Sequence, residues 1–253
     1  MDFDTAMLLA LVASFSVFMG IEALIPSGRA MPAVPHWRLI GFAALAATLA
    51  VFVFAPLFLV PLLPPMALVD LNHWGNWAAL PVWMLGTFLN YWFHRLMHYF
   101  DVLWRAGHQL HHSAARVDVA SAMMFHPVDA LVQGVLGPLL AAGLFNSTPY
   151  AAAWAGLWGF WVGVYQHWDV RTPAWTGWFI QRPEAHLLHH EREVHARNFG
   201  DMPLWDRLFG TYGEPVERTV ELGFAPGRGR RWLAMAAFVD VNRAEDEKAR
   251  ISL

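Results

Sequence analysis

Hydrophobic positions along the chain gather into five long blocks, each able to cross a bilayer as a helix of about 17–25 residues. They run from Ala6 to Ile25, Leu39 to Leu63, Trp77 to Phe93, Val128 to Phe145 and Pro149 to Tyr165. Gly134, Gly137 and Pro138 interrupt the fourth, and Asn146-Ser147-Thr148-Pro149 turns it straight into the fifth. That pair reads as two crossings or as a hairpin dipping into the membrane. Both readings return the chain to the same side. No internal repeat at a fixed period is visible.

Composition supports the pattern. Hydrophobic residues make up 57% of the 253 positions and charged residues 15%, against about a quarter charged in soluble domains. The 14 Trp and 18 Phe suit rings at a lipid–water interface. With no Cys, thiolate haem, iron–sulfur clusters and cysteine zinc sites are excluded. A net charge of -3 gives no sign of a nucleic-acid partner.

The charges orient the chain. All 17 Lys and Arg lie in 26–38, 94–127 and 166–253, whereas 1–5, 64–76 and 146–148 hold none. With five crossings these sets alternate across the membrane, so the N-terminus is expected outside and the C-terminal part in the cytoplasm. Asp2 and Asp4 stand where a cleavable signal peptide needs positive charge, so the first block is expected to remain a span. The segment after Gly227 is basic, then briefly apolar, then charged, and is expected to fray.

Histidine is the outlier, with 13 copies concentrated between 94 and 195 on the expected cytoplasmic face. His94 and His98 form H-x3-H; His108, His111 and His112 form H-x2-H-H; His186, His189 and His190 repeat that pattern. On a helix, positions i, i+3 and i+4 share a face, so each triplet is expected to converge on one point. Eight imidazoles in three sets suit two metal ions better than one. His36 and His73 read as interfacial side chains outside the cluster. All-imidazole sites take zinc, iron, copper or nickel, and spacing alone does not choose among them.

Three features together resemble the fatty acid hydroxylase superfamily, the membrane di-iron histidine-box proteins that include sterol desaturases. They are the three boxes in that order; His126-Pro127-Val128-Asp129; and Asn198-Phe199-Gly200 followed by Trp205-Asp206-Arg207-Leu208-Phe209-Gly210-Thr211. The resemblance covers roughly 77–215. It implies an all-α integral-membrane bundle of about four to five transmembrane helices, with a cytoplasmic histidine-rich helical cap holding a di-metal site. The chain would be one membrane unit: N-terminal spans over 1–76, the catalytic core over 77–215 and a cytoplasmic tail over 216–253.

The resemblance also implies two irons, O2 as co-substrate, and His167 as a ninth ligand supplied from outside the boxes. The ligand set is then His94, His98, His108, His111, His112, His167, His186, His189 and His190. Where related proteins carry a second histidine four residues after His167, this chain has Arg171. His126 and His195 are the alternatives for a tenth ligand; otherwise His126 reads as a helix entry before Pro127, and His195 as a supporting residue behind the ligands. Asp101, Asp118, Asp169, Glu184 and Asp201 are expected to fix ring tautomers from behind, or else to be solvated loop charges. Gly86, Thr87, Gly156, Gly159 and Gly163 mark either a lipid slot between the third and fifth spans or close helix packing.

The expected activity is hydroxylation of a membrane lipid or sterol-like substrate, with desaturation as the alternative. No G-x-G-x-x-G precedes a helix, so electrons are expected from a separate donor of ferredoxin or cytochrome b5 type with its reductase. A metal transporter would set its ligands at the bilayer midplane. A zinc hydrolase would recruit a carboxylate base and mixed ligands. Both fit the pure imidazole boxes at the span ends less well.

Overall fold

The computed structural model describes residues 2–62, 67–194, 196–215 and 220–242. Every hydrophobic block becomes a helix. They are α1 Phe3–Leu24, α2 Trp37–Leu59 with a 3-10 extension Val60–Leu62, α3 Ala79–Tyr99, α6 Pro127–Pro138 with a π turn Leu139–Leu144, and α7 Pro149–Gln166. Between them lie short helices: α4 Asp101–Leu103, a π turn Trp104–His108 and α5 Gln109–His112. α8 Pro183–His189, α9 Pro203–Leu208 and α10 Trp232–Ala236 follow α7. No strand occurs among the described residues, apart from one antiparallel bridge between Glu191 and Leu222.

Local chemistry sets the helix ends. Asp2 caps α1 by accepting from the Thr5 N–H at 2.8 Å. Pro127, Pro149, Pro183 and Pro203 open α6, α7, α8 and α9, where a missing N–H costs nothing. Pro138 closes the regular part of α6; beyond it the ladder slips to five-residue spacing, with Phe145 N–H donating to Leu140 C=O at 2.9 Å. The expected helix entry at His126 is present, its Nδ1 accepting from the Val128 N–H at 3.1 Å.

Among the described residues three helices are long and apolar enough to cross a membrane, against the five crossings expected. They are Phe3–Leu24 (22 residues), Trp37–Leu62 (26 residues) and Pro127–Leu144 (18 residues). α3 carries Asn90, His94, Arg95 and His98 within its length, which dilutes its apolar character. Large apolar side chains on α1 and α2 face outward, among them Val17 at 58% and Phe58 at 70% exposure. An outward apolar face of that extent suits lipid contact.

Two apolar cores hold the bundle. Phe15, Leu45, Leu49, Val119, Phe160 and Val164 join α1, α2 and α7 to the loop before α6. Ala79, Val82, Leu140, Ala141, Ala151 and Ala155 join α3, α6 and α7. Gly41 lets α2 approach that loop, since a Cβ there would lie 2.7 Å from the Ala120 Cα.

The candidate metal centre

The histidines meet above the core, at the C-terminal ends of α3 and α7. His94 and His98 project from the last turns of α3, His108 ends the π turn, and His111 and His112 lie on α5. His167 is the C-terminal cap of α7; His186 and His189 lie on α8, with His190 as its cap. All nine fall into two groups, in each of which one ring nitrogen per residue lies within 4.8 Å of the others: His94, His98, His108, His112 and His189 in one, His111, His167, His186 and His190 in the other.

This grouping corrects the expectation that each triplet converges on one point. His108 and His112 enter one group and His111 the other, while His186 and His190 enter the second and His189 the first. At 3.6 residues per turn, i and i+4 sit about 40° apart, whereas i+3 lies about 60° to the other side. A triplet flanked by two centres therefore splits two and one. α5 and α8 split in opposite senses, so each group draws on both.

Tautomers follow from what lies behind the rings. Nδ1 of His94 donates to the Phe199 carbonyl at 2.6 Å, that of His167 to Gly163 at 2.7 Å and that of His189 to Arg197 at 2.9 Å. His108 Nδ1 faces Asp129 Oδ2 at 3.4 Å. Each of these rings then presents a bare Nε2 lone pair to the centre. Yet Nε2 of His94 and His108 lie 2.8 Å apart, His112 and His189 3.0 Å, His111 and His167 3.0 Å, His167 and His186 3.2 Å, and His186 and His190 3.1 Å. Where both rings have Nδ1 engaged from behind, as in His94 and His108, the two facing lone pairs repel unless a cation lies between them.

The spacing also bears on geometry. With metal–nitrogen bonds of about 2.0–2.1 Å, two ligands at a right angle sit about 2.9 Å apart and two tetrahedral ligands about 3.4 Å. The closest facing nitrogens are 2.8–3.2 Å apart and all the candidate ligand atoms of a group lie within 4.8 Å of one another, distances that two ligands of one metal can span. The donor set, five imidazoles in one group and four in the other, could hold two metal ions.

Burial keeps the rings neutral, as ligands must be. His108, His111, His186 and His190 are held well below the ordinary imidazole range, first by burial and then by neighbouring imidazoles.

The carboxylates expected behind the rings are engaged elsewhere. Asp118 accepts from Trp37 Nε1 at 2.8 Å and pairs with Arg116 at 2.6 Å; Asp169 is bound by Ser27 and Arg29; Glu184 takes Arg29, Arg182 and Thr172. These contacts fasten the histidine-bearing segments to the α1–α2 connection. Asp101 pairs with Arg105, and Asp201 with Asn90 and Gln166. Asp129, read at the sequence level only as part of a motif, is the carboxylate beside a histidine. Arg171 points away from the rings, donating to the Ser27 carbonyl at 3.1 Å.

The closing signature presents the carbonyls. Asp206 accepts from the N–H of Phe199 and Gly200, both at 2.8 Å, and from Thr211 Oγ1 at 2.7 Å. Asn198 donates to the Ala185 carbonyl at 2.7 Å and accepts from the Gly213 N–H at 2.8 Å. These bonds hold the Phe199 carbonyl against His94 and tie that loop to α8.

His126, His36 and His73 lie outside both groups, the last two exposed. His195 and the charged end 243–253 lie outside the described residues. Among the slot residues, Thr87 bonds Met84 and Trp205, a Cβ on Gly86 or Gly163 would make only ordinary contact with Leu140 or Met123, and one on Gly156 or Gly159 would meet nothing within 4 Å, so close packing does not require these glycines.

The chain is 28% identical over 155 residues to an alkylglycerol monooxygenase of Danio rerio, covering 59% of this chain and 33% of that one. The human alkylglycerol monooxygenase is 27% identical over 150 residues, covering 57% and 32%. A Delta(7)-sterol 5(6)-desaturase of Gibberella zeae is 28% identical over 162 residues, covering 58% and 46%. The match thus spans about a third of the length of the alkylglycerol monooxygenases. No solved structure matches. The family model for fatty acid hydroxylase matches residues 79–211, which include the three boxes, His167 and the Asn198-Phe199-Gly200 loop. The chain belongs to the fatty acid hydroxylase family.

Proposed function

We propose that this protein is an integral-membrane, O2-dependent di-iron oxidoreductase that hydroxylates a C–H bond of a lipid drawn from the bilayer. The observation that carries the reading is the pair of adjacent all-imidazole groups, five and four strong, with one ring nitrogen of each residue gathered toward the others. One iron would be held by His94, His98, His108, His112 and His189, the other by His111, His167, His186 and His190. Bound there, the two irons supply the electrons and open positions for O2 that attack on an unactivated C–H bond requires. Zinc takes the same nitrogens if it is more abundant during production.

The chain's own residues orient and enclose. The carbonyls of Phe199, Gly163 and Arg197 and the carboxylate of Asp129 fix ring tautomers, a function whose loss typically weakens metal binding by about 10–100-fold. Phe199 packs on His94 and His189, and Phe125 on His111, which shields the centre from water. The lipid tail would lie in the apolar cavity of about 520 Å³ bordered by Trp83, Trp158, Val162 and Tyr165. Electrons would come from a separate ferredoxin- or cytochrome b5-type donor.

A desaturase is the second reading, favoured by the Delta(7)-sterol 5(6)-desaturase relatives. Oxygen uptake with 18O2, a reductant and a bilayer lipid extract tests both. A hydroxylase gives lipid-dependent uptake and labelled product; a desaturase gives uptake and an unlabelled product with an added double bond. Absence of lipid-dependent uptake by the iron-loaded protein overturns both readings.

On the same reading, residues 1–76 are membrane spans, 77–215 the catalytic core and 216–253 a tail, with the N-terminus outside and the histidines cytoplasmic. Since the chain has no Cys, single cysteines report without background. Impermeant labelling from outside is expected to reach Asn72→Cys and to miss Ala174→Cys, both exposed positions. The reverse pattern overturns the orientation.

A further inference from the structure

Immediately beneath the histidines, three helices and one loop assemble a band of polar side chains. Asn90 lies one turn before His94 on α3, Gln166 directly before His167 on α7, and Gln133 one turn into α6 from Asp129. Gln133 Nε2 donates to Asn90 Oδ1 at 3.0 Å, and Asn90 Nδ2 donates to Asp201 Oδ2 at 3.0 Å. Gln166 Nε2 donates to Asp201 Oδ1 at 3.3 Å. Asp201 is thus held by two neutral amides, and none of the ion pairs among the described residues includes it. Burial pushes its carboxyl above the usual range, the two amides acting the other way.

Further from the histidines, the same helix faces turn apolar. Trp83 precedes Asn90 by two turns of α3, Val162 precedes Gln166 by one turn of α7, and both line the 520 Å³ cavity. Ile180 also lines it, and the next residue, Gln181, donates its backbone N–H to the Asp201 carbonyl at 2.8 Å. The Gln181 side chain is fully buried, and neither its oxygen nor its nitrogen has a protein partner. Native proteins rarely leave a buried amide so. Along α3 and α7 the order is therefore apolar cavity, polar band, imidazole.

We propose that the band formed by Asn90, Gln133, Gln166 and Asp201 binds the polar head of the lipid, and selects a neutral hydroxyl-bearing lipid over one ending in a carboxylate. The proposal rests on the lipid-oxidoreductase reading and adds the substrate class. A hydroxyl both donates and accepts, so it satisfies the Asp201 carboxylate and an amide together. A lipid carboxylate would meet Asp201 in a poorly solvated site where no Lys or Arg among the described residues pairs with it and only the metals beyond the imidazoles oppose the two negative charges, which is costly. An alkylglycerol and a sterol present the same head chemistry, so both serve as probes.

The test is equilibrium binding to the metal-loaded full chain in detergent, with 1-O-hexadecylglycerol, cholesterol and hexadecanoate as probes. The wild type is expected to bind at least one neutral probe about tenfold or more tighter than hexadecanoate, equivalent to about 1.4 kcal/mol. Whichever neutral probe binds identifies the source of the hydroxyl. Asp201→Asn removes the negative charge while keeping a polar group, and is expected to bring the ratio within about threefold of one, with metal content unchanged. Wild-type protein that binds hexadecanoate as tightly as either neutral probe overturns the proposal even if the variant fails to fold. An unchanged ratio in Asp201→Asn, or loss of its metal, overturns it too, the latter by making Asp201 scaffold for the histidines. Binding is read without turnover. Selective binding by a protein that consumes no O2 would sink the oxidoreductase reading alone, and turnover without selectivity would sink the head-group site alone.

Discussion

His167→Ala is expected to cut lipid-dependent oxygen uptake by well over the 10–100-fold typical of residues that only support a ligand, and to remove one of the two metals. The reason is position. His167 ends α7, 19 residues before His186 and 56 after His111, and its Nε2 lies 3.2 Å and 3.0 Å from theirs. Its Nδ1 is held by the Gly163 carbonyl one turn back on α7. It is the ring through which the α6–α7 hairpin joins the four-histidine group, and three nitrogens would remain without it. A ligand lost from a group of four leaves no spare nitrogen to replace it. His36→Ala and His73→Ala change exposed rings outside both groups and are expected to stay near wild type. A His167→Ala protein as active as those controls, at equal protein level, removes His167 from the ligand set.

The helices were legible because lipid-facing helices write themselves as long apolar runs, and all five blocks lie on helices. What the runs do not state is how many cross. α3 trades apolarity for Asn90, His94 and Arg95 because its last turns face the polar band and the histidines. The histidines were legible as a cluster through their spacing. Their partition was not, because spacing fixes directions about a helix axis but not what stands on either side of it. The π turn Trp104–His108, with Gln109 N–H reaching back to the Trp104 carbonyl, also carries no sequence signature. The tautomer-fixing groups are hidden for a related reason. Three of them are backbone carbonyls, which any residue supplies and no spacing marks, whereas a sequence displays side-chain acids such as Asp118, Asp169 and Glu184. Those acids instead fasten the cap to Ser27, Arg29 and Trp37. Asp129 did carry a signal, three residues after His126 in a recognisable motif, and its contact with His108 is the reason for it.

The partition makes a second strong expectation, since it says which substitutions belong together. His111→Ala, His186→Ala and His190→Ala combined cross two boxes but strip a single group, leaving only His167 of its four. His108→Ala, His112→Ala and His189→Ala combined also cross two boxes and strip the other group, leaving His94 and His98. If each triplet served one metal, either combination would damage both sites at once. With ligands shared crosswise, each combination is expected to abolish one site and spare the other. The spared group keeps every nitrogen in place, because α5 and α8 are also held by contacts outside the rings. Gln109 bonds the Val239 carbonyl and the Val241 N–H, and Ala185 accepts from Asn198. Oxygen uptake is expected to vanish in both, as the chemistry needs the pair.

Metal-to-protein ratio with X-ray absorption on these two triple variants therefore tests the paired centre most directly. The wild type should hold about two ions per chain and each variant about one, at bond lengths of about 2.0–2.1 Å to nitrogen. The retained ion should show five nitrogens in the first variant and four in the second. Folded variants that both lose all metal, or that both keep the wild-type ratio, would contradict a centre built from two crossed groups of histidines.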